Sequence, residues 1–253
     1  MMTIVRSGAK GGNMNGLDGK RILVTGATGG IGRAIVDRLL AEGCRVLAVD
    51  MVRLEDERVS FSGVCDVTDE ASVDRAFSEA EAAVGGIDGL VATAGIQVSK
   101  PTHELSLEEF RRVLEVSAVG TFLATRRVLP GMLEAGAGGI VTFGSTAAVG
   151  AAPELASYAA AKGAVLQYTR SIAAEYGSRG IRANCMCPGG TMTPMMREID
   201  AHRVGRDHFL ERHPIGRYAE PAEIAAAVAY LLSDDASFVL GAAMMVDGGY
   251  SMA

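Results

Sequence analysis

Basic blocks, paired cysteines, spaced histidines and long apolar runs are all missing from this 253-residue chain, and each absence removes a class of function. No lysine- or arginine-rich stripe interleaved with aromatics occurs, and the net charge is -6, so nucleic acid is not an expected partner. No apolar run approaches the roughly 20 residues needed to cross a bilayer, so no membrane span is expected. Cys44, Cys65, Cys185 and Cys187 form no CxxC pair, and His103, His202, His208 and His213 lack HExxH spacing, so no metal site is expected. Cys185 and Cys187 alternate within an apolar run that reads as a strand, which puts both on one side as buried free thiols. A reducing, cytoplasmic setting fits that usage. The opening MMTIVRSGAKGGNMNGLDGK has one Arg and two Lys but no apolar core, so it is not a secretory signal. Residues 1–16 read instead as a flexible lead-in to one domain spanning 17–253.

What the chain does have is enough apolar material, 49% of residues, for a sizeable core, arranged as short strands alternating with helices. RILVT is a β-branched run followed at once by Gly26, Gly30 and Gly32, and then by the amphipathic stretch GRAIVDRLLAEG ending at Gly43. A strand, a glycine turn and a helix N-terminus make an anion site, because backbone amides point outward and missing side chains let a pyrophosphate approach. The spacing is GxxxGxG rather than the commoner GxGxxG, so an ordinary tight turn remains the alternative. CRVLAVD is a second buried strand ending in Asp50, 24 residues beyond Gly26. A carboxylate there accepts hydrogen bonds from the hydroxyls of an adenosine ribose and repels a 2′-phosphate, which favours NAD over NADP. A solvated loop acid near Arg53 and Arg58 is the competing reading.

Further strands are expected in RVSFSGVCDVTD, GIDGLVATAG, GGIVTFGS, GIRANCMCPGG and AAMMVDGGY. Helices are expected from Thr68, from the capping box Ser106–Glu109 through about Leu129, from about Leu155 to Tyr176, and from Pro221. Residues 191–217, with Pro, scattered charge and several Met, read as a lid beyond a strand's carboxyl end, or as a plain surface excursion. The alternation predicts an α/β fold, a parallel sheet with helices on both faces. The carboxyl ends of its strands, at Gly26, Asp50, Asp66, Gly95, Ser145 and Pro188, then share one edge where ligands bind.

One stretch gives that edge a chemistry. Ser145 closes the strand GGIVTFGS, and Tyr158 and Lys162 lie four apart on the following helix, hence on one face. A phenol with pKa near 10 is a poor base at neutral pH, and a neighbouring ammonium, a cationic cofactor ring and a dry pocket are together expected to lower it. A hydroxyl from Ser145 would hold a substrate oxygen in line with the phenol. The pair alone is a short motif with a high false-positive rate.

Taken together, TGATGGIG, the VD at 49–50, CDVTD, the AG at 94–95, GSTAAVG, SYAAAK, NCMCPGGTMTP, RYAEPAEIA and VDGG make the chain resemble the short-chain dehydrogenase/reductase family, over nearly all of its length after Leu17. The resemblance implies a Rossmann-type fold, a single doubly wound parallel sheet of seven strands, and an oxidoreductase moving a hydride between NAD and a secondary alcohol or ketone, which the mixed apolar loops after Gly95 and Ser145 suggest is moderately hydrophobic. It implies Tyr158 as general acid/base, Lys162 lowering its pKa and holding the nicotinamide ribose, and Ser145 on the substrate oxygen. It places Gly26, Thr28, Gly30, Ile31 and Gly32 along the pyrophosphate, Asp50 on the ribose, and Asp66 and Val67 around adenine. Ala94, Gly95, Pro188, Gly189, Thr191 and Thr193 would line the rest of the cofactor site. The same resemblance implies a homotetramer. The chain departs from the family's pattern at Ser117, where Asn is usual and supports a proton path to the Lys through its carbonyl, and at Thr93, where Asn is also favoured. Two rivals stand beside this reading: an NADPH-dependent reductase of 3-oxoacyl carrier-protein thioesters, and a catalytically silent dinucleotide-binding regulator.

Overall fold

In a computed structural model, which describes residues 14–194, 196 and 210–252, seven aliphatic runs form strands. They are β1 (Arg21–Thr25), β2 (Arg45–Asp50), β3 (Phe61–Val64), β4 (Gly89–Ala92), β5 (Gly138–Phe143), β6 (Ile181–Pro188) and β7 (Ala243–Val246). They pair in the order β3-β2-β1-β4-β5-β6-β7 with every neighbour parallel, as the alternating sequence pattern predicts. Chain direction across the sheet reverses between β1 and β4, and a crevice opens at the carboxyl ends of strands at such a point.

Both faces are covered because the strands are apolar on both sides. Ile22 and Val24 face α1 (Gly30–Ala41) and α6 (Pro221–Leu232), in a core that includes Ile35, Leu39 and Ile224. Leu23, between them, faces α2 (Glu70–Val84), α4 (Gly120–Ala135) and α5 (Ala156–Tyr176), in a core that includes Phe77, Leu123 and Ile172. The period of two along β1 thus divides one strand between two cores.

Two helices differ from their expected form. The second begins at Glu70, two residues beyond Thr68. Asp69 caps it by accepting from Ala71 N at 3.1 Å, while Thr68 is tied back to Asp66. The helix begun by Ser106 is not continuous either. The capping box forms, but α3 (Leu107–Leu114) gives way to a five-residue π-helical segment, Glu115–Val119, before α4 continues to Ala135. Such a bulge often marks a functional site, and this one carries Ser117.

Of the lead-in, residues 14–16 are tied to the domain: Met14 N donates to Glu42 and the Asn15 side chain to Asp235. Residues 1–13 lie outside the described part of the structure, as do 195 and 197–209, which make up most of the expected lid. The base of that excursion is closed: Thr191 bridges Ala219, with Ala219 N donating to Gly190 O at 2.8 Å and Met192 N to Ala219 O at 2.9 Å.

Candidate active site

Every residue singled out for the cofactor and the chemistry lines one cavity of about 920 Å³ at the carboxyl edge of the sheet. At one end lies the glycine turn. Gly26 has φ +67, and a Cβ on Gly32 would sit 2.0 Å from Gly26 O, so the first turn of α1 is pressed onto the turn and only glycine fits. No side chain caps α1 and no acid lies in its first turn, which leaves its outward N–H groups facing the cavity. Above it, Thr193 stands 3.0 Å from where a Cβ on Gly30 would be, so the loop after β6 roofs the turn.

Asp50 ends β2 with its carboxylate held in place. Oδ2 accepts from Thr28 N at 2.8 Å and from Thr28 Oγ1 at 2.6 Å, and Oδ1 accepts from Met51 N at 2.7 Å. The basic residues that compete with the ribose reading are largely occupied. Arg33 and Arg58 both pair with Asp37 and Asp56, while Arg53 is exposed. Asp66 accepts from Thr68 N and Oγ1, and these bonds hold its carboxyl below the usual range.

At the other end stand the three side chains of the Ser-Tyr-Lys set. Ser145 is extended, and its Oγ accepts from Ala147 N at 3.2 Å, which leaves the hydroxyl proton free to donate. It lies near enough to the Tyr158 phenol to favour the ionised form. Lys162 is buried on the same helical face, 5.6 Å from the Tyr158 ring centroid, and donates to Phe143 O at 2.8 Å. Of the two cations expected to lower the phenol together, the lysine and the cofactor ring, the chain itself supplies only the first. Burial pushes the Tyr158 phenol above its ordinary value and outweighs Ser145. Lys162 does not bring it down, because its ammonium lies by the ring and is itself desolvated, falling from 10.5 to about 8.

The depressed lysine has a cost that pH reveals. Below pH 8 the folded and unfolded chains both carry the proton, and the folded state bears the whole expense of the buried charge. Between pH 8 and 10.5 the folded chain loses it first, so this group makes stability rise with pH through that window, by on the order of 3 kcal/mol. Lys162→Met should therefore melt higher than the parent at pH 7 and lack that rise at pH 9.5, while losing turnover. A lower melting point at pH 7 would contradict this.

Ser117 is fully buried in the π-helical segment. Its carbonyl accepts from Thr121 Oγ1 at 2.7 Å, and its Oγ has no partner among the described residues. Lys162 Nζ and Ser117 Oγ both approach the Cβ position of Gly95, at 3.1 and 3.4 Å, so the two groups flank one spot. Thr93 acts structurally, because its hydroxyl donates to Thr25 O at 2.6 Å and joins the ends of β1 and β4. Behind the site, Cys185 and Cys187 point to the same side with their sulfurs 3.9 Å apart, both buried free thiols as expected. Sequence reading missed Arg212, Met196 and Tyr250, which also line the cavity. Met196 and Arg212 lie within the loosely patterned excursion and Tyr250 near the end of the chain, where no periodicity indicates which side faces in.

A doubly wound sheet with a glycine cradle, a carboxylate at the end of β2 and a phenol–amine pair in one crevice suits a dinucleotide-dependent oxidoreductase. Comparison with known proteins agrees. A family model described as enoyl-(acyl carrier protein) reductase matches residues 26–251. The 2-(S)-hydroxypropyl-CoM dehydrogenase 3 of Xanthobacter autotrophicus is 41% identical over 249 residues, covering 93% of this chain and 98% of that protein. The crystal structure of levodione reductase matches with a TM-score of 0.87 at 36% identity, covering 92% of this chain and 98% of that one. That of 3-ketoacyl-(acyl-carrier-protein) reductase from Brucella melitensis, complexed with NADH, matches with a TM-score of 0.86 at 32% identity, covering 93% and 99%. The chain belongs to the short-chain dehydrogenase/reductase family. It is an oxidoreductase acting on CH–OH groups with a nicotinamide dinucleotide. Among the described residues, no helix is long and apolar enough to cross a membrane.

Proposed function

We propose that this protein is an NAD-dependent dehydrogenase of moderately apolar secondary alcohols, run in either direction, with Tyr158 as general acid/base. The observation that carries the reading is the single cavity that joins the glycine cradle, Asp50 and the Ser145-Tyr158-Lys162 group. The cradle fits a dinucleotide: α1 offers uncapped N–H groups for the pyrophosphate, and Asp50 offers a fixed carboxylate for the ribose. Gly26, Thr28, Gly30, Ile31 and Gly32 would hold the pyrophosphate, Asp66 and Val67 the adenine, and Ala94, Gly95, Pro188, Gly189, Thr191 and Thr193 the nicotinamide half. When bound, NAD supplies the hydride acceptor and a ring bearing positive charge.

The chain's own residues do the rest. Ser145 donates its hydroxyl to the substrate oxygen. Tyr158 takes the alcohol proton during oxidation and returns it during reduction, with its phenol fixed at hydrogen-bonding reach. Lys162 holds the nicotinamide ribose and supplies nearby positive charge in a site with little water to screen it. Ser117, whose Oγ flanks one spot together with Lys162 Nζ, is suited to hold a water that passes the proton onward. Ile96, Ala147, Ala151 and Leu155 give the substrate an apolar wall. Assembly as a homotetramer is supported by apolar side chains left open, Phe238 and Met252 at 102% and 82% exposure. The reading includes a cytoplasmic location.

The direct test is a panel of secondary alcohols with NAD, followed by nicotinamide absorbance. Reduction of NAD with part of the panel is the expected result. Tight NADH binding with no turnover across the panel would instead favour a silent regulator.

A further inference from the structure

The cavity's substrate end contains a cation that the chemistry above does not use. Lys162 is buried and bonded to Phe143 O, and Arg112 acts on Asp66 at the adenine end. Arg212 stands elsewhere. It lines the main cavity and also a side pocket of about 270 Å³, which it shares with Thr146, Ala151, Tyr250 and Ser251. Thr146 directly follows Ser145, so this pocket adjoins the site of reaction. The Arg212 guanidinium lies 4.3 Å from the Tyr250 ring centroid. Arg212 is exposed, and a cation over a ring face is held there while its N–H groups can still donate. No carboxylate of the described residues pairs with it, although Arg33, Arg58, Arg127 and Arg217 are all ion-paired. Glu154, the acid on the same wall, is held through its backbone by Lys100 N and makes no ion pair with Arg212.

We infer that Arg212 binds an oxyanion of the substrate, so that the alcohols or ketones taken by this site carry a carboxylate or sulfonate on the end remote from the reacting carbon. The inference rests on the dehydrogenase reading and adds the substrate's charge to it. A guanidinium with no carboxylate partner among the described residues, in a protein of net charge -6, draws an anion into a cavity whose wall is otherwise largely apolar. The planar fork meets a carboxylate with two parallel hydrogen bonds, which orients the substrate as well as holding it. The apolar body then lies along Ala151 and Leu155, with the carbinol toward Ser145 and Tyr158.

Matched pairs test this: hydroxy acids and hydroxysulfonates of graded chain length, each beside its neutral ester, amide or alkyl counterpart, assayed with NAD on the parent, Arg212→Ala and Arg212→Lys. The parent should prefer the charged member of the best pair. In Arg212→Ala the ratio of kcat/KM, charged over neutral, should fall about 10- to 100-fold, mainly through KM, and Arg212→Lys should restore part of it. A parent that prefers neutral members, or a ratio unchanged in Arg212→Ala, overturns the inference while leaving the dehydrogenase reading intact. NADH affinity in Arg212→Ala should match the parent; a parallel loss would assign Arg212 to the cofactor and sink the proposal. If no compound turns over, the dehydrogenase reading fails by itself. Titration of the NADH complex with a keto acid and its ester then decides the inference, which stands only if the acid binds and does so through Arg212.

Discussion

Tyr158→Phe keeps NADH binding and lowers alcohol oxidation by about 10²- to 10⁴-fold, the range that a positioned general base supplies. The substitution removes one oxygen from a ring that stays seated on α5 near Lys162, so the glycine cradle and Asp50 are untouched. Loss of rate with cofactor binding unchanged separates a chemical role from a packing one. The pH dependence carries the same information. Burial holds the phenol above its ordinary value, so in the parent, oxidation should speed up from neutral pH upward as more of the base form is present, and ketone reduction should slow. The variant should lose that opposition between the two directions. Undiminished turnover in Tyr158→Phe would remove Tyr158 from the mechanism.

A strong preference for NADH over NADPH is the second large effect, about 10²-fold or more. The Asp50 carboxylate is fixed by Thr28 and Met51, so it cannot turn away from a 2′-phosphate. Two like charges about 4 Å apart near a protein surface repel by roughly 4 kcal/mol, enough for such a ratio. Arg33 and Arg58, which would otherwise offset it, are committed to Asp37 and Asp56. Asp50→Asn keeps an acceptor oxygen and removes the charge. The preference should then shrink mainly through improved NADPH binding, read by fluorescence titration of both cofactors. Tighter binding of NADPH than NADH by the parent would contradict the role given to Asp50.

Much of this architecture is legible in the sequence because its signals are local. RILVT followed by spaced glycines is a strand, a turn and a helix start in consecutive residues, and the structure forms all three. Seven short runs give seven parallel strands, and the central ones, buried on both faces, need no partner information to be recognised. Tyr158 and Lys162 share a face through helical geometry alone. What the sequence hides depends on distant contacts. The π-helical segment at Glu115–Val119 lies within an unbroken helical pattern, and nothing local marks the extra residue. The start of α2 is decided by a contest between Asp66 and Asp69 for neighbouring donors. The direction of the Tyr158 shift follows from burial and from where the Lys162 ammonium points, neither of which a spacing of four contains. Arg212 is invisible in the sequence for the same reason: only the fold shows that it faces the cavity.

The central claim is that one crevice holds a dinucleotide and the proton-transfer group together, and a crystal structure with NADH bound tests it most directly. The account predicts the pyrophosphate against residues 26–32, the ribose hydroxyls on Asp50, and the nicotinamide beside Tyr158 and Lys162. A cofactor bound elsewhere, or one whose nicotinamide lies away from the Tyr158 phenol, would contradict it.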